Sequence, residues 1–198
     1  MKGFGRREFQ LVLLRRMADY QPDLVASALR SLDASHTESR QVNARWQRIL
    51  RSARFPRDER RLRWVLGPPE GAADRRWGDV VCRAAWWSLP LWPDLRFEAL
   101  LGPDGSILHE WLVRPEAAPA PWPGHVSELT PWEYVVGDVA ARFAPAGHRA
   151  DNVPSRWQVT FSAPGGDGDG GDGARPYVAH FVWGLLQAVE EPPARAPR

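Results

Sequence analysis

The residues of this 198-residue chain that can do chemistry are mostly arginine and tryptophan. Arginine supplies 25 of the 26 basic side chains, and eleven tryptophans, five histidines and one cysteine accompany them. A guanidinium binds phosphate or carboxylate bidentately, so a cluster of them points to an anionic partner. The densest run lies between Arg40 and Arg63. On a helical wheel Val42, Trp46, Ile49, Leu50 and Ala53 share one face, and Arg40, Arg45, Arg48, Arg51 and Arg54 spread over the other. From Ser39 to Phe55 no carboxylate occurs. Like charges on one helix face repel, whereas a merely solvated helix mixes signs. Arg45, Arg48, Arg51 and Arg54 are therefore the expected phosphate contacts of a nucleic-acid-binding surface. Arg57, Arg60, Arg61 and Arg63 extend the run, diluted by Asp58 and Glu59.

Two other readings fit the same residues. The high Arg, Pro, Ala and Gly content suits a GC-rich bacterial genome, which would leave a solvated Arg face. Alternatively, carboxylates elsewhere in the chain pair with it. The net charge is only +2. Residues 1–78 hold 17 basic against 9 acidic side chains, a net +8, and residues 79–198 hold 9 against 15, a net −6. Codon bias explains many arginines but not the scarcity of acids in the same stretch.

The tryptophans admit three uses besides filling a core: stacking on unpaired bases beside Arg, anchoring a protein interface, or lining a ligand pocket. At least half sit on apolar faces and read as core. Trp86 and Trp87, adjacent in a strand, must point to opposite faces, so both faces need cover by a helix, a partner or a ligand. His109 and His180 are the histidines placed in strands, yet no spacing links them to an acid pair or a nucleophile. Cys82 lies in an apolar stretch and reads as a small hydrophobe. One cysteine excludes an intramolecular disulfide framework and a Cys-rich zinc site. The tract Asp167–Asp172 resembles a calcium loop only superficially, because the position that should hold a glutamate holds Val178. There is no P-loop, nucleophile elbow or dinucleotide fingerprint, so no cofactor, metal or catalytic residue is assigned.

The elements that position these residues follow from periodicity and punctuation. Helices are expected over 6–20, 22–33 and 36–55. Pro22 starts the second, a Ser35-His36-Thr37-Glu38 capping box starts the third, and Pro56 stops it. Residues 61–66 read as a short strand, 67–71 as a loop and 79–88 as a strand. Residues 95–101 and 107–113 alternate about a Gly102-Pro103-Asp104-Gly105 turn. Pairing 102 with 106 sets Phe97 opposite Trp111 on one apolar face. A Pro/Ala-rich loop spans 115–125. Thr130-Pro131-Trp132-Glu133 opens a helix over 131–143 that packs on the sheet. Strands follow at 156–163 and 177–183, with a Gly/Asp loop at 165–173 between them and a short helix after Gly184. Three helices followed by strands resemble a winged helix-turn-helix in order, with the third helix as reader and 61–88 as wing.

The expected fold is α+β: a basic three-helix region over 1–56, then a mostly antiparallel β-rich region with one packed helix over 57–190. Together these form a single domain, followed by a disordered tail over 191–198. Gly5-Arg6-Arg7-Glu8-Phe9-Gln10 resembles a twin-arginine export signal, but the apolar run Leu11–Leu14 is cut short by Arg15-Arg16, which favours a cytoplasmic protein. No stretch approaches the length of a membrane span. The leading reading is a non-enzymatic cytoplasmic protein engaging nucleic acid. Next comes an interaction module or adaptor of a bacterial multi-component system that meets an acidic protein surface. Third is a small-molecule binder or enzyme with a Trp-lined pocket using His109 or His180.

Overall fold

Six consecutive buried residues, Phe9 to Leu14, dictate where the first helix sits. Six positions cover more than one turn of a helix, so α1 (Arg6–Met17) has to be enclosed through that stretch. It is packed by α2 (Pro22–Ser31), α3 (His36–Arg51) and α4 (Asp58–Leu66). Its first turn is tied to three parts of the chain. Arg6 Nε donates to Leu66 O at 3.1 Å, and Arg6 Nη1 meets Glu70 Oε1 at 2.8 Å. Arg7 donates to Leu32 O, Asp33 O and the Glu38 carboxylate. Buried Gln10 accepts from the Leu91 N–H at 2.8 Å. The two arginines of the export-like motif thus serve as structural clamps.

The structure is a computed structural model and describes residues 3–164 and 173–192. It has the α+β order expected, with N-terminal helices followed by antiparallel strands. Ser35 caps α3 as the sequence implies, its Oγ accepting from Glu38 N at 3.0 Å. The helix stops at Arg51 and not near 55, because Phe55 turns back and sets its ring edge-on to Trp46 at 5.7 Å. The helical region also extends past 56. Residues 61–66 are the body of a fourth helix, not a strand. Asp58 and Glu59 favour its N-terminus, Leu62, Val65 and Leu66 bury one stripe, and Gly67 ends it at φ +82°. The stretch 61–88, expected as a wing, therefore opens with this helix, and its strands are confined to 71–77 and 80–88.

The first sheet has the order β1 (Gly71–Trp77), β2 (Val80–Ser88), β3 (Arg96–Leu101), β4 (Ile107–Val113). Strand β1 had no counterpart in the sequence reading, since its mostly exposed residues carry no apolar alternation. It begins where Gly71 pairs with Trp86; a Cβ there would lie 2.3 Å from Trp86 Cζ2, so the indole occupies the space a side chain would need. The β3–β4 turn closes as expected, with Gly102 N donating to Ser106 O and Gly105 at φ +81°. The single apolar face across that hairpin does not form. Phe97 packs edge-on against Phe9 of α1, whereas Glu110 reaches Arg61 of α4. Alternation then turns His109 and Trp111 to the other side, away from the helices.

The second sheet is a meander too: β5 (Gly147–Ala150), β6 (Arg156–Pro164), β7 (Ala174–Val182), β8 (Leu185–Glu190). Helix α5 (Val136–Arg142) starts five residues later than the capping pattern suggests. The Trp132 N–H donates to Leu186 O, Leu186 N to Tyr134 O, and Val135 bridges Leu185, so residues 132–135 follow β8 and not a helical path. Asp138 caps α5 instead, accepting from Val135 N at 3.1 Å while holding Arg114 at 3.0 Å. The short helix expected after Gly184 is strand β8. Trp183 and Gly184 both have positive φ and form a two-residue hairpin turn between β7 and β8. The core here stacks Phe143 on Phe161 at 4.5 Å, beside buried Val159, Phe181, Leu185 and Leu186.

Contacts group the chain into two compact units, residues 1–112 and 113–198. Each unit has its own sheet and its own buried apolar set, which is the physical basis of the division. The Gly/Asp tract and the tail beyond residue 192 lie outside the described residues.

Two outcomes follow. Gly71→Ala should cost about 1–3 kcal/mol by pushing on the Trp86 ring, read as a lower urea midpoint at unchanged slope; an unchanged midpoint would contradict that packing. Hydrogen bonds from Ser88 and the charge of Arg6 hold the Glu70 carboxyl below its usual pKa. A depressed folded-state pKa adds stability above the unfolded pKa and loses it as pH falls through the folded value. Glu70→Gln should therefore weaken the fold at neutral pH and flatten the stability loss between about pH 5 and 3, measured by thermal melts across that range.

Candidate nucleic-acid interface

Helix α3 puts Trp46 and Ile49 into the core and turns the opposite face outward. Phe4 stacks on Trp46 at 5.1 Å, and Phe9 meets the same indole edge-on, so the rotation of the helix about its axis is fixed by aromatic contacts. Arg45 borders the buried stripe. Its Nη1 donates to Gly3 O at 2.8 Å and its guanidinium lies 5.9 Å from the Phe4 ring centre. Arg48 and Arg51 stand exposed on the outer side. Arg54, placed on the helix by the wheel, is exposed three residues beyond its end. Among the described residues the side chains of Arg48, Arg51 and Arg54 make no hydrogen bond or ion pair.

Pairing to carboxylates of the same chain does occur, but elsewhere. Arg61 pairs with Glu110, Arg63 with Glu59 at 2.8 Å, and Arg83 with Glu59 at 3.0 Å. Burial raises the pKa of the Glu59 carboxyl, and hydrogen bonds from Arg63 and Arg83 more than reverse that, so its charge is committed to them. Buried Glu98 takes Arg96 at 3.1 Å and Arg75 at 3.5 Å. Within the basic run from 40 to 63, Arg61 and Arg63 are thus paired to carboxylates, whereas Arg48, Arg51, Arg54, Arg57 and Arg60 are exposed and uncommitted among the described residues.

Three of the four predicted arginines share one concavity. A groove of about 410 Å³ is lined by Arg45, Arg48, Ile49, Ser52, Arg54, Phe55, Pro56 and Trp64. No carboxylate lines it. Ile49 and Phe55 are buried, whereas Trp64 of α4 is 37 % exposed and meets Phe55 edge-on at 5.2 Å. Arg51 is not part of this lining. Sequence reasoning did not connect Trp64 to the Arg face, because it placed that residue in a strand. The acidic pair at 58–59 before a Leu62/Val65/Leu66 spacing and Gly67 was the available helix signal.

The remaining candidates have separate settings. His109 is stacked parallel to Trp111 at 4.7 Å and packs beside Trp77 at 4.7 Å, and burial lowers its pKa. His180 of β7 contacts Glu190 at 2.8 Å. The two histidines belong to different units. Trp87 is fully buried and donates to Gly67 O at 2.9 Å; Trp86, on the opposite face, is covered by the Arg96 guanidinium 4.1 Å from its ring centre. Cys82 is buried with Ala84 and Leu100, while Arg83 turns to Glu59. Among the described residues no group of three or more His, Cys, Asp or Glu is arranged to hold a metal ion, and no helix is long and apolar enough to cross a membrane.

No protein-family model matches the chain, and no curated protein matches it. A solved structure from Streptococcus mutans, described as a candidate beta-lactamase inhibitor protein, aligns at 12 % identity with a TM-score of 0.28. The alignment covers 72 % of this chain and 88 % of that one. A score that low carries no argument about fold or function.

The division of arginines has a direct consequence for stability. Arg48→Ala with Arg51→Ala should leave the unfolding free energy within about 0.5 kcal/mol of wild type or raise it slightly, as like-charge repulsion is relieved. Glu110→Ala should cost about 1 kcal/mol or more by stranding Arg61. Denaturant titration of the variants checks both; a large loss in the double arginine variant would place those side chains in the structural set.

Proposed function

We propose that this chain is a non-enzymatic, cytoplasmic binding protein whose Arg-lined α3 surface engages nucleic acid. One observation carries the reading: Arg48, Arg51 and Arg54 are exposed and uncommitted in a run continued by exposed Arg57 and Arg60, while Arg61, Arg63 and Arg83 of the same unit are paired to carboxylates. Exposed arginines without a partner among the described residues also stand at Arg15, Arg16, Arg30 and Arg76, so the reading rests on the clustering of Arg48, Arg51 and Arg54 in a stretch that holds no carboxylate. Uncompensated cations clustered on an exposed surface are stabilised by phosphates, and binding releases the counterions condensed on the nucleic acid. Arg45 contributes as a fixed edge, its guanidinium already oriented by Gly3 and Phe4.

A second reading, a protein-interaction module, is favoured by a different feature. Trp77, Val80 and Val81 at the β1–β2 hairpin are 45 %, 43 % and 54 % exposed. Such a cluster suits an apolar protein contact, which would resist salt.

Fluorescence anisotropy with labelled DNA and RNA, single- and double-stranded, separates the readings. Three phosphate contacts predict a slope of log affinity against log salt of about −2 to −3. The Arg48/Arg51/Arg54→Ala variant should lose most of that slope. Absence of binding to any of these at low salt would remove the nucleic-acid reading and leave the interaction module.

A further inference from the structure

We infer that the groove beside α3 receives an unpaired base, so that the ligand of the Arg face is single-stranded and not duplex nucleic acid. This rests on the nucleic-acid reading above and deepens it. Phosphate recognition by itself needs only cations or backbone N–H groups; it gives no reason for an apolar concavity among them. Here Arg45, Arg48 and Arg54 surround a floor of Ile49, Phe55 and Pro56, with the Trp64 indole as one wall. The other large apolar residues of α4, Leu62, Val65 and Leu66, are buried, and only Trp64 is left open to solvent. Its ring is not loose, because Phe55 holds it edge-on at 5.2 Å, and Phe55 is itself locked against Trp46. The result is an aromatic wall over a largely apolar floor, rimmed by positive charge and lined by no acid.

That combination matches one chemical class. A base offers a flat π face with a phosphate one sugar away, and in a single strand the face is available for stacking. In a duplex the same faces are hidden in the stack, and the groove would gain nothing. Charge complementarity favours the nucleic-acid strand over an apolar peptide, since three guanidiniums border the opening and none of the lining side chains is a carboxylate.

The test is a titration of the full chain and its Trp64→Ala and Trp64→Phe variants. Probes are labelled oligothymidylate of about 10 nucleotides and a labelled DNA duplex, each at about 50 and 200 mM salt. The inference predicts tighter binding of the single strand than of the duplex. Trp64→Ala should weaken the single strand by about tenfold, Trp64→Phe much less, and the salt slope and duplex binding should be unchanged in both. A single strand bound equally by wild type and by a folded Trp64→Ala variant would overturn the groove assignment while leaving the Arg surface intact. Equal or tighter duplex binding would also overturn it. Binding of neither probe would overturn this inference, and the reading beneath it falls as well only if the RNA probes named above also fail to bind.

Discussion

Everything in the first unit is arranged around the enclosure of α1. A helix with six successive buried positions cannot lie on a surface, so three further helices and the sheet must cover it. That demand decides which side of α3 faces inward: Trp46 and Ile49 have to meet α1 and Phe9, and the arginines take what is left. Arg6, Arg7 and Gln10 then lock the start of α1 to the ends of α2 and α4 and to the segment after β2. The outward Arg face follows from the apolar packing beneath it.

Arginine is used in two distinct ways in this protein. Where a carboxylate lies within reach the guanidinium becomes structural, as at Arg61, Arg83 and the buried pair Arg114–Asp138. Where none does, along the outer side of α3 and just past its end, the charge is left to solvent and to whatever anion arrives. Composition alone cannot separate the two uses, because both raise the same count. Geometry separates them residue by residue, and the function proposed for the chain depends on that separation.

The legible parts of the sequence were those where local and tertiary forces agree. Trp46 and Ile49 of the α3 stripe, the Ser35 cap, the Gly102–Gly105 turn and strands β2, β6 and β7 all follow from spacing that the packing then reinforces, whereas Ala53 of that stripe is exposed beyond the helix end. Illegible parts had a competing force. Residues 61–66 alternate like a strand and also space Leu62, Val65 and Leu66 like a helix; contact with α1 favours the second. Strand β1 is wet on both sides and carries no hydrophobic period at all. Thr130-Pro131-Trp132-Glu133 has every local mark of a helix start, yet backbone hydrogen bonds to β8 claim that segment. The groove depended on one of these ambiguities, for its Trp64 wall becomes a neighbour of Arg48 only once 58–66 is helical.

The central claim is that the outer face of α3, and not the apolar hairpin at 77–81, is where this protein meets its ligand. Amide hydrogen exchange with and without a bound single-stranded oligonucleotide tests it most directly. The account predicts slowed exchange over 45–56 and around Trp64, with the 77–81 hairpin unchanged. Protection of the hairpin with 45–56 unaffected would contradict it.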